Sequence, residues 1–295
     1  MADGPADHRA ALALDAELAR GCIETALQGQ DGPIAEAMRY ATQGGKALRA
    51  VLVMEGAALF GIDRAASTPA AAAIEAVHAY SLIHDDLPCM DDDDLRRGKP
   101  TVHREWDEAT AVLAGDALQA LAFDLICDTP CPEGARLALV RGLARAAGVG
   151  GMVGGQAYDI AAENATVPLT LDEITQLQAG KTGALICWSA TAGAVMAGAT
   201  PAQTRALQTY GECLGLAFQI ADDILDVEGD AGLTGKAVGK DAAAGKATFV
   251  SLLGLDAAKG RAAELVDTAC DALSVFGEEA RSLQALARFV ISRQT

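Results

Sequence analysis

Aromatic residues make up only 4% of this chain, and runs in which β-branched residues alternate with polar ones are few. Strands depend on residues of these kinds, so their scarcity excludes a mainly β protein. Alanine and leucine, which favour helices, dominate instead. The sequence therefore predicts an all-α fold.

Positive charge is also in short supply, because 23 Lys and Arg residues face 40 Asp and Glu residues and leave a net charge of −17. A surface of this sign argues against nucleic acid or an anionic membrane as a partner. An anionic small molecule would need a metal ion and a local group of Lys or Arg side chains in order to approach.

Long apolar runs are missing as well. Hydrophobic residues reach 51%, but no stretch of eighteen apolar residues lacks a polar interruption, which predicts no membrane span. The first five residues lack the basic and apolar parts of a signal peptide. The 7 cysteines are scattered, odd in number and without zinc spacing, so we expect reduced core thiols in a cytoplasmic protein.

Helices are indicated along almost the whole chain by periodicity and by start signals such as Thr68-Pro69 and the capping-box patterns at Thr170 and Thr200. They are expected near residues 7–28, 33–42, 46–60, 69–87, 105–127, 133–150, 171–179, 182–197, 201–226, 247–257, 259–275 and 278–293. Two longer connections, 87–104 and 227–246, each begin at an aspartate cluster, so we interpret them as active-site loops. No break in composition divides the chain, which predicts one domain over residues 1–295, including an N-terminal helix within 1–28.

Aspartate is concentrated in two places. Six aspartates lie within residues 85–94, and a shorter cluster follows at 222–226. Both clusters end apolar, helix-like stretches. Carboxylates that crowd together at an apolar pocket repel one another unless a cation is present, and hard oxygen ligands select Mg²⁺, which prefers carboxylates together with substrate phosphates. The two clusters therefore predict a site that holds several Mg²⁺ ions and a diphosphate.

Two other interpretations of these clusters compete with a metal site. A single run of aspartates is more often a solvated loop or a charged helix face. A Ca²⁺ loop of the EF-hand type needs alternating ligands, a central glycine and a glutamate at its twelfth position, and neither segment has them. The repetition favours the metal site, because a solvated face gives no reason for a second cluster.

The spacing of the aspartates adds geometry. Asp222 and Asp226 are four residues apart and so share one helical face. Asp85 and Asp91 are about 120° out of phase on an ideal helix. Pro88 lies between them and cannot continue a helix. We therefore expect a break at Leu87-Pro88 that brings Asp91 back beside Asp85, and we expect residues 92–94 to pair with arginine or with solvent.

Basic residues accompany the clusters, and each is a candidate for binding phosphate, since arginine holds phosphate oxygens in a fork and lysine acts as a point charge. The candidates are Lys46, Arg49, Arg96, Arg97, Lys181, Lys236 and Lys246. No Walker spacing is present. His78 lies seven residues before Asp85, on the same helical stripe. A histidine in an apolar helix is usually a core residue, but its alignment with Asp85 favours a phosphate donor.

Several segments together resemble the trans-isoprenyl diphosphate synthases, which are also called polyprenyl synthetases, and most closely the bacterial farnesyl diphosphate synthases. They are YSLIHDDLPCMDDDDLRRGKPTVH at 80–103, GGKALR at 44–49, GGQAYD at 154–159, KTG at 181–183 and FQIADDILDVEGD at 218–230. The resemblance runs from about residue 30 to the C-terminus. Ala47 and Ala50 stand where this family has arginine and proline, which puts one auxiliary basic contact in doubt.

The resemblance implies a single-domain helical bundle around a deep central cavity, the isoprenoid synthase type I fold, usually as a homodimer. It implies a reaction in which isopentenyl diphosphate condenses head-to-tail with dimethylallyl and geranyl diphosphate to give farnesyl diphosphate, with three Mg²⁺ ions. The metal ligands carried over are Asp85, Asp91, Asp222 and Asp226, with Asp86 as a further candidate. Arg96, Lys181 and Lys236 are expected to bind the allylic diphosphate, with Thr182 and Gln219 close to the reacting carbon. Lys46, Arg49, His78 and Arg97 are expected to bind isopentenyl diphosphate.

Product length is the remaining expectation. Tyr80 and Ser81 precede Asp85 by five and four residues, roughly 6–7.5 Å along a helix. An aromatic residue at position 80 is equally typical of an ordinary core, but in the family it accompanies farnesyl products. The alternatives are a geranylgeranyl or geranyl diphosphate synthase, and more remotely a class I terpene cyclase or a non-enzymatic helical protein that binds divalent ions.

Overall fold

The computed structural model describes residues 5–163, 167–228 and 247–292. Helices form nearly all of its regular structure, as predicted for an all-α protein. They are α1 (Pro5–Ala26), α2 (Pro33–Thr42), α3 (Leu48–Ala58), α4 (Arg64–Asp85), α5 (Val102–Glu105), α6 (Glu108–Cys127), α7 (Glu133–Ala147), α8 (Met152–Glu163), α9 (Leu171–Gln178), α10 (Ala184–Ala197), α11 (Pro201–Glu228), α12 (Phe249–Leu253), α13 (Leu255–Ala272) and α14 (Arg281–Ser292). A π-helical turn (Ala179–Gly183) precedes α10, and a 3₁₀ segment (Leu273–Ala280) precedes α14. Strands β1 (Leu95–Arg96) and β2 (Lys99–Pro100) pair in an antiparallel hairpin.

The chain divides into two compact units, Met1–Val140 and Arg141–Thr295, and the boundary falls within α7. The prediction of a single domain stays a prediction. Each unit is built around one long helix, α4 in the first and α11 in the second.

Helix α4 is the core of the first unit. Its segment from Ala70 to Val77 is buried on almost every side, because a run of alanines lets α3 and α6 approach closely. The helix begins earlier than the sequence predicts, at Arg64 rather than 69. Asp63 provides the N-cap by accepting a hydrogen bond from the amide of Ala66 at 2.7 Å. The Thr68 hydroxyl, expected to mark the start, instead donates to the Arg64 carbonyl inside the helix.

Helix α1 is fixed to the first unit by ion pairs as well as by apolar packing. Arg64 donates to Asp15 at 2.5 Å and to Glu55 at 2.6 Å, and Asp15 is completely buried. Burial raises the pKa of Asp15, while Arg64 opposes the increase. Just beyond the C-terminal end of α1, Arg39 donates to the Leu27 carbonyl at 2.6 Å. The helix is therefore anchored at its middle and at its C-terminal end.

Helix α11 is the core of the second unit and packs on α10, α13 and α14. Tyr210, fully buried on α11, donates to the Leu283 carbonyl at 2.8 Å. Gly211 lies so close to α10 that a Cβ there would be 2.8 Å from the Cα of Cys187. These contacts hold α11 rigidly up to its aspartate motif.

Two helical stretches are long and apolar enough to cross a membrane by length and composition alone: Glu108–Cys127, which is α6, and Glu133–Ala162, which runs through α7 and α8. A core helix of a soluble protein passes the same test. Helix α6 carries Asp116 and Asp124 within its length, and its buried face packs on α4. The prediction of no span thus has weak support.

All seven cysteines are free thiols. Only Cys270 is buried, while Cys89 and Cys127 are exposed and the others lie between. The expectation that they are core residues is therefore wrong for Cys89, which follows the end of α4, and for Cys127, the last residue of α6, because both lie at the surface where a helix ends.

Candidate active site

The first aspartate motif forms a hook, residues 85–92, at the end of α4. The amide of Asp91 donates to the carbonyl of Asp85 at 2.8 Å, and the carbonyl of Leu87 accepts from Met90 at 2.9 Å and from Asp92 at 3.1 Å. The chain thus leaves the helix after Asp85 and folds back. The predicted break is confirmed, and it brings the backbone of Asp91 beside that of Asp85.

Asp86 is directed at Arg96. Asp86 is 3% exposed. Its carboxylate accepts hydrogen bonds from Nε of Arg96, at 3.0 Å, and from a second nitrogen of the same guanidinium. Asp93 lies 3.6 Å from the same guanidinium, and Asp94 pairs with Arg104 at 2.7 Å. Burial alone would lower the pKa of Arg96, but the bonds to Asp86 outweigh it and raise that pKa. Asp93 and Asp94 pair with arginine as expected, and the role of Asp86 as a metal ligand stays a prediction.

A tight hairpin separates the two neighbouring arginines. Arg96 pairs with Lys99 across β1 and β2, and Arg97 and Gly98 form the turn with φ of 54° and 74°. Positive φ at both turn residues is the pattern of a type I′ turn, which suits the twist of a two-residue hairpin. Arg96 therefore stays on strand β1 beside Asp86, whereas the turn directs Arg97 away from Asp86 and towards Gly45.

The guanidinium of Arg97 rests on Gly45. A Cβ at Gly45 would lie 2.6 Å from the Arg97 Cζ, so only glycine leaves room there. Arg97 lines a pocket of the first unit, here called the Arg97 pocket, together with Arg20, Ile23, Ala41, Thr42, Gly44, Ala47, Glu75, His78, Ala79 and Leu82. Partial loss of hydration lowers the pKa of Arg97, opposed by Glu75.

The Arg97 pocket contains a half-buried carboxylate and a neutral histidine. Glu75 accepts a hydrogen bond from the amide of Ala50 at 3.0 Å. Burial raises the pKa of Glu75, and Arg49, Arg97 and Arg20 oppose the increase. Burial, reinforced by Arg49 and Arg97, holds the pKa of His78 well below its usual value. His78 is thus a neutral donor that takes up a proton more readily once an anion enters.

The backbone is strained around these groups. Ala47, Asp92 and Arg97 are the non-glycine residues with positive φ in the part of the chain that the structure describes. One follows the exposed Lys46, one closes the hook and one forms the hairpin turn. Non-glycine residues in this region cost roughly 1–3 kcal/mol each and concentrate at functional sites.

Tyr80 is 5% exposed and lies between α4 and α6. Its ring meets that of His84 edge-on, with centroids 5.9 Å apart. Its hydroxyl is buried near Gln119 of α6, but the two groups do not meet hydrogen-bond geometry, so the hydroxyl has no partner among the described residues. Burial raises the pKa of Tyr80, and the nearby Gln119 side chain opposes the increase. Ser81 donates to the His78 carbonyl at 2.9 Å.

In the second unit, backbone packing places the π-helical turn between α8 and α11. A Cβ at Gly155 would be 2.1 Å from the amide nitrogen of Lys181, and one at Gly215 would be 2.9 Å from the Cα of Gly183. Glycine at both positions allows this approach. Single π-helical turns are frequent at functional sites, and this one carries Lys181 and Thr182.

The side chains of this turn have defined partners. Lys181 donates to Asp159 of α8 at 2.5 Å, and the Thr182 hydroxyl donates to Gln219 Oε1 of α11 at 2.8 Å. These contacts bring Lys181 to a carboxylate and join Thr182 to Gln219, two residues that the sequence predicted to lie together.

The second aspartate motif divides its carboxylates between two roles. Asp222 and Asp226 share a face of α11, as predicted, and both are partly exposed. Asp223 is buried and accepts from the amide of Phe249 at 2.7 Å, where α12 begins. The motif thus offers two carboxylates to a ligand and uses the third to hold the chain.

Glu75 was not singled out by the sequence prediction, and an acid in the apolar middle of α4 was the available signal. Asp159 belongs to the GGQAYD segment of the resemblance, but no role was assigned to it. Lys236 and Lys246, predicted to bind substrate, lie outside the described residues, as does most of the predicted loop 227–246.

The arrangement of the carboxylates suits Mg²⁺ bound together with substrate better than a metal ion surrounded by protein side chains alone. In the described ranges, no three His, Cys, Asp or Glu side chains converge on one point. Mg²⁺ commonly takes one or two carboxylates and fills its remaining positions with water and substrate phosphate. Paired carboxylates at the ends of α4 and α11 fit that requirement.

Helices throughout, with an aspartate motif and cationic side chains at the end of each central helix, define an all-α isoprenoid synthase. The model of the polyprenyl synthetase family matches residues 32–282. Farnesyl diphosphate synthase from Escherichia coli (strain K12) is 46% identical over 272 residues, 90% of this chain and 90% of that one.

Solved structures agree. The crystal structure of an FPP/GFPP synthase from Zymomonas mobilis has a TM-score of 0.88 and 46% identity, covering 97% of this chain and 99% of that chain. A geranyltransferase from Helicobacter pylori, complexed with magnesium and isoprenyl diphosphate, has a TM-score of 0.82 and 31% identity, covering 99% and 98%. The chain belongs to the polyprenyl synthetase family and is a trans-prenyltransferase.

Proposed function

We propose that the protein condenses isopentenyl diphosphate head-to-tail with dimethylallyl diphosphate and then with geranyl diphosphate, in a Mg²⁺-dependent reaction that ends at farnesyl diphosphate. The main support is the Arg97 pocket, where arginines outnumber carboxylates, and which is distinct from the acidic hook with its Asp86–Arg96 pair. An enzyme with two diphosphate substrates requires two separate anion sites, and here one would bind through arginine directly and the other through Mg²⁺ held by carboxylates. The Escherichia coli relative bears the name of this activity.

The magnesium ligands proposed are Asp85, Asp91, Asp222 and Asp226, with Asp86 as a further candidate and three ions expected. Arg96, Lys181 and Lys236 bind the allylic substrate, with Thr182 and Gln219 near its reacting carbon, and Lys246 is a further substrate-binding residue. Lys46, Arg49, His78 and Arg97 bind isopentenyl diphosphate. The magnesium of the Helicobacter pylori complex supports the choice of metal.

The chemistry follows from charge. When bound, Mg²⁺ would supply positive charge that stabilises diphosphate as a leaving group. The allylic carbon–oxygen bond breaks, the double bond of isopentenyl diphosphate forms the new carbon–carbon bond, and a proton passes to the released diphosphate. The chain's residues position and stabilise rather than attack: Arg96 and Lys181 hold diphosphate oxygens, and Thr182 fixes the amide of Gln219.

The two arginines of the hairpin should serve different substrates. Arg97→Ala removes a charge-assisted contact of roughly 1.5–3 kcal/mol, so the KM for isopentenyl diphosphate should rise while that for geranyl diphosphate stays near the wild-type value. Arg96→Ala should raise the KM for the allylic substrate. It also leaves buried Asp86 unpaired, so the double variant Arg96→Ala/Asp86→Asn is needed to restore the melting temperature. If both arginine variants perturb one substrate only, this division is wrong.

A homodimer and a cytoplasmic location are also proposed. Helix α6 exposes Val112 and Leu113, 41% and 53% accessible, on the side opposite its buried alanines. An exposed apolar face on a central helix is a surface that a second copy can cover. Sedimentation of the purified protein at several concentrations tests the assembly.

The deciding experiment is incubation of the protein with labelled isopentenyl diphosphate and either dimethylallyl or geranyl diphosphate, followed by chromatography of the dephosphorylated products. Farnesol as the main product supports the proposal. Geranylgeraniol or geraniol as the main product favours the alternative chain lengths. A cyclic hydrocarbon formed from the allylic substrate alone indicates a terpene cyclase. If no product forms in the presence of Mg²⁺, the result favours a non-enzymatic protein that binds divalent ions.

A further inference from the structure

Arg20 reaches the Arg97 pocket from helix α1, outside the residues matched to the family. Its guanidinium donates to the carbonyl of Gly45 at 3.1 Å. The other face of Gly45 carries the guanidinium of Arg97. The glycine turn is thus held between two arginines, one of which comes from a part of the chain to which the sequence assigned no site residue.

Arg20 also contributes to the charge of the pocket. Its positive charge lowers the pKa of Arg97 and opposes the increase at Glu75, so the three groups lie within electrostatic reach. Arg20, Arg49 and Arg97 surround one carboxylate, Glu75, while His78 is neutral. The arginines therefore exceed the carboxylate by two charges, and without Arg20 by one. Ala47, on the same wall, supplies no charge.

Helix α1 does not depend on Arg20 for its attachment. Asp15 pairs with Arg64, and Arg39 donates to the Leu27 carbonyl and to Glu24 at 2.9 Å. Ala16, Ala19 and Ile23 of α1 are buried as well. Arg20 is half-buried and lines a cationic pocket, although helix α1 is already anchored by other contacts. Binding of an anionic ligand therefore explains Arg20 better than attachment of the helix does.

We propose that Arg20 is a further binding and positioning residue for the diphosphate of isopentenyl diphosphate. It adds charge to the Arg97 pocket and fixes the Gly44-Gly45 turn against which Arg97 rests. This assignment rests on the proposed function, whose failure is recognised separately, since wild-type protein would then transfer no isopentenyl unit.

The test compares Arg20→Met, which keeps the aliphatic stem and loses the charge, with Arg20→Lys and wild type. With geranyl diphosphate saturating, Arg20→Met should raise the KM for isopentenyl diphosphate roughly tenfold, the size expected for one charge-assisted contact. The KM for geranyl diphosphate and kcat should change less than threefold, and Arg20→Lys should recover part of the loss. Without allylic substrate or metal, the increase in melting temperature caused by isopentenyl diphosphate should shrink in Arg20→Met.

Two further variants make the outcome decisive. Arg136→Met loses the same charge from the same unit, and Arg136 neither lines the pocket nor anchors α1, so its KM values should match wild type. In the Arg20→Met background, Ala47→Arg places a cation on the same wall from an existing Cβ and should lower the KM again. An unchanged KM in Arg20→Met, or an equal increase in Arg136→Met, overturns the assignment.

Discussion

Replacing Tyr80 by alanine should lengthen the product. The side chain is 5% exposed, lies on α4 between that helix and α6, and precedes Asp85 by five residues, or about 7.5 Å of helix. A chain that starts at a diphosphate near Asp85 and grows along α4 would meet this ring. Tyr80→Ala should therefore shift the main product from farnesyl to geranylgeranyl diphosphate or longer.

The stability of the variant can be estimated from the same contacts. Truncating a buried aromatic ring to alanine costs about 3–5 kcal/mol. The Tyr80 hydroxyl has no hydrogen-bond partner among the described residues, and removing such a buried group recovers about 1–3 kcal/mol. The net loss is about 2 kcal/mol, which lowers the melting temperature by roughly 4–8 °C. The protein should stay folded and active at 25 °C.

The matched control is Tyr80→Phe, which keeps the ring and removes the unpartnered hydroxyl. It should retain farnesyl diphosphate as product, with a melting temperature equal to or above that of wild type. Ser81→Phe should instead shorten the product to geranyl diphosphate, by filling space one residue nearer to Asp85. Product chromatography and thermal unfolding measure both properties. Unchanged length in Tyr80→Ala, or lengthening in Tyr80→Phe, refutes the steric account.

Three other substitutions probe the first unit. Asp85→Ala should lower kcat by several orders of magnitude, with the fold intact by circular dichroism. Excess chelator should abolish wild-type activity until Mg²⁺ is added back. The control Asp94→Ala breaks only an exposed ion pair with Arg104, so its kcat should stay within a fewfold of wild type. Gly45→Ala should raise the KM for isopentenyl diphosphate, because its Cβ displaces Arg97, whereas Gly44→Ala has the same kind of backbone strain but no neighbour within 4 Å and should change KM little. The low pKa of His78 means that the unfolded chain takes up a proton below about pH 6.5 while the folded one does not. The stability of wild type should therefore fall relative to His78→Gln between pH 7 and 5 in urea titrations, and parallel curves would contradict this.

The features that the sequence predicted correctly depend on neighbouring residues. Pro88 cannot continue a helix, so the break after Asp85 follows from local sterics. The pairing of Asp222 with Asp226 follows from the helical repeat, and the capping box at Thr170 from two side chains three residues apart. Each of these predictions needed no knowledge of the tertiary structure.

The features that were missed depend on distant residues or on weak local signals. Helix α8 was not among the predicted helices, because its neighbouring glycines weaken the local helix signal. Gly155 serves close packing against Lys181, 26 residues away. The hairpin has two-residue strands, too short to show alternation, and its Arg97-Gly98 turn lacks the usual Asn-Gly or Asp-Gly. Glu75 is part of the site only because arginines from other segments, Arg20, Arg49 and Arg97, lie near it, and its own neighbours in the sequence do not indicate this.

The strained backbone at Ala47, Asp92 and Arg97 has a consequence for protein engineering. Glycine at any of these positions would relieve the left-handed conformation in the native state, but it would also enlarge the conformational freedom of the unfolded chain and of the loop itself. A screen that selects variants by thermal stability alone would favour substitutions at these three positions whenever they relax the backbone. Such variants would exchange turnover for stability, because these three residues set the positions of the hook, the glycine turn and the hairpin.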